Sequence, residues 1–200
     1  MKNASLWAAG AVLAAAAVRY RAWPQKDPIS GGDIPESYMI PGSNRIDYQG
    51  RRDCAAFSSA YVLRHLGMEA DGSELYKSYP RKLLDGTVDP KGILVLFRQL
   101  GYEASFYQGD AETLKRQIGR GVPVILFIKT IPNKRHLHFV PVVGYDRENF
   151  YLAESLEHKA NDDGPNHNRK LPIAELESIW RTNLLYRQSY IVVHAQDRSD

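Results

Sequence analysis

A chain of 200 residues, 44% hydrophobic and 24% charged, is long enough for one substantial core and too short for two plus an extension. Its 26 basic and 23 acidic residues leave a net +3 with no long single-sign run, so charge gives no case for a nucleic-acid partner and none is expected. The single cysteine, Cys54, excludes an internal disulfide framework, and no Cys/His cluster has structural-zinc spacing.

The chain opens with an uncharged apolar run, SLWAAGAVLAAAAV at residues 5–18, closed by Arg19 and Arg21. At 14 residues it falls short of the roughly 20 that cross a bilayer comfortably. It suits a secretory signal peptide, with Ala15 and Ala17 as a small-x-small cleavage site, or an uncleaved membrane anchor, or an alanine-rich helix on the domain. Residues 1–21 are accordingly assigned to targeting, with membrane association or export expected and orientation open. Residues 22–38, rich in Pro, Gly, Ser and Asp, read as a linker with at most a short strand. Its Gly31-Gly32 pair reads as a flexible turn, with self-processing after two glycines as the other reading. The folded domain is expected over 39–195, followed by a tail at 196–200.

From Asp53, CAAFSSAYVLRHLG has apolar residues at helical spacing and a Gly67 stop. Shorter helices are predicted after Ser73, across GILVLFRQLG to Gly101, after an Asp110 N-cap, and over 173–181. Strand-like stretches occupy 103–108, 122–129, 137–146, 149–155 and 189–195. Helices first and strands later give an α+β class, a helical lobe packed on an antiparallel sheet. Residues 156–170, EHKANDDGPNHNRK with its neighbours, read as a mobile loop.

Cys54 is predicted in the first turn of its helix, just after Arg51 and Arg52, with Asp53 as N-cap adding an opposing negative charge. A lone cysteine is most often an inert small hydrophobe, but a helix N-terminus is also where a thiolate is favoured. A nucleophile there needs a base within reach and a group to orient the base. His65 is eleven residues along the same helix, about 16 Å away at 1.5 Å per residue. His158 and His167 sit in the polar loop and His194 near the C-terminus. His138 opens the apolar strand HFVPVVGYD, and a hairpin centred on Asp146 sets Glu154 directly opposite, where it could accept the His138 Nδ1 proton. His136, on the same strand face, is a rival base. Gln49, five residues before Cys54, supplies an amide NH2 suited to a developing oxyanion, with the Cys54 N–H as second donor.

Together QGRRDCAAFSSAYVLRHLG, GVPVILFI and HFVPVVGYDRENFYLAES resemble family thirty-nine of the cysteine peptidases, the double-glycine leader peptidases of papain-like fold, over about residues 45–195. The resemblance implies Cys54 as nucleophile, His138 as general base and acid, Gln49 as oxyanion donor and Glu154 where the family usually has Asp. It implies a papain-like α+β fold and no metal or organic cofactor. Asp146 reads as structural, closing the hairpin. Ala55 departs from the glycine usual after the cysteine, and the 200 residues carry no Walker motif, so coupled export is not encoded in them. The expected activity is hydrolysis of a peptide bond in a peptide or protein substrate through a thioester. The alternatives are acyl transfer to an amine by the same thioester, or a catalytically silent, membrane-tethered peptide-binding module. Specificity is expected from residues 70–110 and the 156–170 loop; oligomeric state is unassigned.

Overall fold

The computed structural model describes residues 20–132 and 136–194. The apolar run at 5–18 and the tail at 196–200 lie outside the described residues. Among those described, no helix is long and apolar enough to cross a membrane.

The strands are β1 (Gln25–Lys26), β2 (Tyr38–Met39), β3 (Glu103–Gln108), β4 (Val124–Lys129), β5 (Leu137–Tyr145), β6 (Asn149–Leu152), β7 (Arg169–Pro172) and β8 (Ser189–His194). The helices are α1 (Cys54–His65), α2 (Gly72–Lys77), α3 (Pro90–Gln99), α4 (Ala111–Ile118) and α5 (Ile173–Trp180). One sheet runs in the order β1-β3-β8-β4-β5-β6-β7, with β2 added to β5. Every pairing is antiparallel except β1 with β3. The α+β expectation holds.

Strand period two explains how the layers assemble. Leu126, Ile128, Val140, Tyr190 and Val192 meet Leu114 and Ile118 of α4 and Leu176, Ile179 and Trp180 of α5. The alternate residues Ile125, Phe127, Phe139, Ile191 and Val193 meet Ala55, Ala56, Val62 and Leu63 of α1 and Ile93, Leu96 and Phe97 of α3. Side chains that alternate across a strand thus feed two cores, and the sheet is covered on both faces rather than by one helical lobe. Nine consecutive residues of α1, 55–63, are buried, so it is a central helix surrounded by protein. Small residues allow that close approach: the Ser58 hydroxyl donates to the Phe139 carbonyl at 2.9 Å, and Ser59 bonds the Tyr79 hydroxyl at 2.9 Å.

Two segments differ from their expectations. The stretch read as a linker is docked: Asp27, 5% exposed, follows β1 and takes hydrogen bonds from Gln117 Nε2 and the Tyr190 hydroxyl. Gly31 and Gly32, at φ of 75° and 74°, form a turn whose carbonyls accept from the Arg116 guanidinium of α4. A two-residue parallel strand has no periodicity to announce it; a buried aspartate is what fixes it to the core. The polar stretch read as a mobile loop is largely built in as well. It carries a 3-10 turn at Glu157–Lys159, the start of β7, and buried Asn166, Asn168 and Arg169. Its polarity reflects hydrogen bonding inward.

Elsewhere β5 is bulged between Val142 and Gly144, and β2 crosses closely there. A Cβ on Gly144 would sit 2.6 Å from Met39 Sδ and 2.9 Å from the Tyr38 carbonyl. Asp146 closes the β5–β6 hairpin, accepting from the Glu148 and Asn149 N–H groups and the Tyr151 hydroxyl.

Asp27→Ala leaves the Gln117 amide unpaired in the interior and removes the carboxylate that accepts from the Tyr190 hydroxyl. It is expected to lower unfolding free energy by about 2–3 kcal/mol. Urea denaturation measures this, and an unchanged midpoint would show that β1 is not anchored through Asp27.

Candidate active site

Cys54 is the first residue of α1 and half-buried. Asp53 occupies the N-cap position, but its carboxylate makes no capping bond to the first turn; Oδ2 accepts from the Gly50 N–H at 3.3 Å instead. The first-turn N–H groups are therefore not covered by that acid. Arg52, at φ 72°, turns the chain into the helix in a left-handed conformation, and its guanidinium donates to the Asp85 carbonyl. The Ser58–Phe139 hydrogen bond fixes the next turn of α1 to β5 one residue beyond His138. Helix and strand are thus sewn together beside both candidate groups.

His138 is 2% exposed and pairs across the sheet with Ile128. Its Nε2 lies 2.7 Å from Glu154 Oε1, while the ring also hydrogen-bonds Cys54. The carboxylate therefore meets Nε2 and not the Nδ1 expected from sequence, and Nδ1 is the nitrogen left to face sulfur. The register differs too. Pairings of Val142 with Leu152 and Gly144 with Tyr151 displace β6 from a hairpin symmetric about Asp146, and Glu154 follows the end of β6. Continued in that register, Glu154 lies across from Val140 and diagonal to His138. A glutamate spans that diagonal with its extra methylene.

Glu154 itself is fully buried and held at every polar atom. Its backbone N–H donates to Asn168 Oδ1 at 2.7 Å, and its carbonyl accepts from Asn168 Nδ2 at 2.9 Å. Oε1 also takes the Leu156 N–H at 2.9 Å, and Oε2 takes Arg169 Nη1 at 2.8 Å. A buried carboxylate needs such partners to stay ionised. Burial by itself would raise its pKa. His138, the Leu156 N–H and Arg169 prevail and hold it at about 2. Burial likewise pushes the His138 imidazole down, and the Glu154 charge, with the ring's hydrogen bonds to Cys54 and Glu154, overcomes it, lifting the ring to about 10.

Gln49 is brought to the same place from the other side. Its N–H donates to the Ser155 carbonyl at 2.9 Å, and its Oε1 accepts from the Ser155 hydroxyl at 2.6 Å. With the amide oxygen tied down, the amide NH2 is directed away from Ser155. Adjacent residues 154 and 155 thus fix both the partner of the imidazole and the amide of Gln49.

All four residues singled out from sequence, Gln49, Cys54, His138 and Glu154, belong to one connected site. His136 is exposed, and its described contact is a backbone one, its carbonyl accepting from Thr130. His65 bonds the Gly121 carbonyl, His167 bonds Asn166, and His194 meets Ser105 within the sheet. Ser155, Asn168 and Arg169 were not found from sequence. The one available signal was Arg169 standing where polar sequence gives way to the alternating KLPI.

The peptidase C39 family model matches residues 44–190. No curated protein matches the chain. A putative C39-like peptidase from Bacillus anthracis is similar in structure, with a TM-score of 0.61 at 18% identity over 80% of this chain and 98% of that one. The peptidase domain of ComA, a bi-functional ABC transporter of Streptococcus quorum sensing, gives 0.60 at 19% identity over 78% and 100%. Xylellain, a cysteine protease from Xylella fastidiosa, gives 0.57 at 11% identity over 88% and 97%. At these identities the likeness is one of fold.

The buried pair sets a pH dependence of stability. His138, raised from 6.5 to about 10, contributes fully below 6.5, and that contribution is lost as pH rises through about 10. Glu154, lowered from 4.5 to about 2, contributes fully above 4.5 and loses it as pH falls through about 2. The pair therefore supports the fold most between pH 4.5 and 6.5. Glu154→Gln is expected to cost about 3–5 kcal/mol in that window and to flatten the alkaline decline, measured by urea denaturation across pH. An unchanged alkaline limb would mean the imidazole is not held by Glu154.

Proposed function

The chain belongs to the peptidase C39 family and has its papain-like α+β fold, and on that premise we propose that it cleaves peptide bonds through Cys54, with His138, Glu154 and Gln49. The attacking species is a thiolate at Cys54 paired with an imidazolium at His138. Sulfur adds to the substrate carbonyl, and the oxyanion accepts from Gln49 Nε2 and the Cys54 N–H. His138 Nδ1 returns the proton to the departing amine, leaving a thioester. His138, now neutral, takes a proton from water as water attacks the thioester, and the acid leaves with sulfur restored. Glu154 orients the ring through Nε2 throughout, and Arg169 keeps Glu154 ionised and in place.

The observation that carries this reading is the imidazole of His138, engaged by Cys54 on one side and by Glu154 Nε2–Oε1 at 2.7 Å on the other. The helix-borne nucleophile, the base and the orienting acid are the arrangement the chemistry requires. Gln49, with its oxygen already committed to Ser155, adds an amide donor whose orientation is set before substrate arrives.

Cys54→Ala is expected to abolish hydrolysis of a peptide library and the acyl-enzyme mass trapped by rapid quench. Gln49→Ala should lower kcat about 10²–10³-fold while Cys54 still reacts with iodoacetamide. His136→Ala should leave turnover intact. Hydrolysis persisting in Cys54→Ala would overturn the assignment.

We assign residues 5–18 a targeting role that brings the chain to a membrane or across it, where it meets an exported peptide. Expressed in a bacterium, the full chain should fractionate with membranes with its N-terminus intact, or outside the cytoplasm with a new N-terminus near Ala17. Recovery as an intact cytoplasmic protein would remove the assignment.

A further inference from the structure

Among the described residues, the most exposed large apolar side chains do not lie at random. Leu84 is fully exposed at 111% and Leu184 at 91%, with Leu185 and Tyr20 also exposed at 46% and 58%. Leu84 and Leu184, the two most exposed of these, stand in turns, so they form convex points rather than the wall of a groove. Single exposed leucines need no explanation, but several gathered at one end of a molecule mark an interaction surface.

A chain of contacts gathers them. The Leu84 turn is closed by the Leu83 N–H to the Thr87 carbonyl and the Gly86 N–H to the Leu83 carbonyl, and the Arg52 guanidinium binds its Asp85 carbonyl. Arg52 is two residues before Cys54, so this turn borders the candidate site. Arg81, at the foot of the same turn, donates to the Tyr20 carbonyl, with its guanidinium 4.3 Å from the Tyr20 ring centre. The neighbouring Arg21 hydrogen-bonds the Tyr186 hydroxyl. Tyr186 in turn closes the turn bearing Leu184, its N–H bonded to Asn183 Oδ1 and its carbonyl to the Thr182 hydroxyl. That turn leads into β8, and antiparallel pairing of β8 with β4 and of β4 with β5 places it at the end of the sheet where His138 stands.

We propose that this end of the domain rests on a lipid bilayer, with Leu84 and Leu184 entering the acyl boundary and the candidate site opening at the headgroup layer. The occupant follows from the chain itself. Only Arg19 separates Tyr20 from the uncharged apolar run 5–18, so whatever layer that run enters adjoins this face. Exposed Lys82 and Arg187 flank the two leucine-bearing turns in sequence, and the exposed Arg52 guanidinium binds the Leu84 turn at the Asp85 carbonyl, which suits anionic headgroups. Convex apolar tips within a basic rim match a soft apolar layer better than they match a peptide, which would seat in a cleft. The site then draws on peptides held at the membrane surface. Only that last clause rests on the peptidase reading; lipid contact is measured without turnover.

The test uses the full chain with Cys54→Ser and one introduced cysteine, Leu84→Cys or Leu184→Cys, carrying an environment-sensitive fluorophore. The control position is Glu148→Cys on the β5–β6 turn. Vesicles of phosphatidylcholine with a minor share of phosphatidylglycerol are added, with and without nitroxide-labelled acyl chains. At 84 and 184 emission should rise, shift to the blue and be quenched by the nitroxide lipid; at 148 it should not change. Vesicle binding with silent probes at 84 and 184 would mean that residues 5–18 alone make contact, and the proposal fails. Failure to bind vesicles overturns it too, as does a response to a peptide library in place of lipid, which would make the face a peptide-docking surface.

Discussion

One fully buried carboxylate organises much of this molecule. Glu154 is removed from bulk solvent, so its charge must be satisfied by protein groups. Two cationic groups, His138 and Arg169, and one backbone N–H, from Leu156, do this through the carboxylate, while the Asn168 amide takes both backbone groups. Each partner arrives from a different stretch: β5, the start of β7, the turn after β6. Meeting the electrostatic demand of one group therefore requires β5, β6 and β7 to be in register. The same demand keeps the imidazole charged and faces its other nitrogen toward the start of α1.

That helix is the second fixed point. Its burial on all sides leaves no freedom to slide, and the Ser58 hydroxyl pins it to the strand residue next to His138. A nucleophile placed at the first residue of a surface helix would move with fraying. Here Cys54 is followed at once by nine buried residues, so the position of sulfur is set by the core. With no side-chain cap from Asp53, only its backbone carbonyl reaches the first turn, accepting from the Ala56 N–H at 2.9 Å.

Much of this was legible from residue order. Continuous apolar runs in VILFIK and SYIVVH and helical spacing in CAAFSSAYVLRH gave elements within a few residues of those observed, because both patterns express burial directly. Cys54, His138, Glu154 and Gln49 were each visible as polar groups at the edges of apolar elements. What failed was the geometry between them. A hairpin assumed symmetric about Asp146 paired His138 with Glu154 face to face, whereas the bulge at Val142/Gly144 and the actual register make the contact diagonal and turn it to Nε2. Arg169, Asn168 and Ser155 could not be read, since a polar segment that folds inward has the same composition as one that faces water. The strand at Gln25–Lys26 was hidden for a related reason: its anchor, Asp27, is an ordinary linker residue until Tyr190 and Gln117 close over it.

The pairing of Gln49 with Ser155 has a mechanical meaning. Glu154 and Ser155 share a peptide bond, so the acid that aligns the imidazole and the hydroxyl that aligns the glutamine amide cannot be displaced independently. The His138 imidazole and the Gln49 amide, contributed by parts of the chain nearly ninety residues apart, are geared to one dipeptide. A distortion there would disengage both at once.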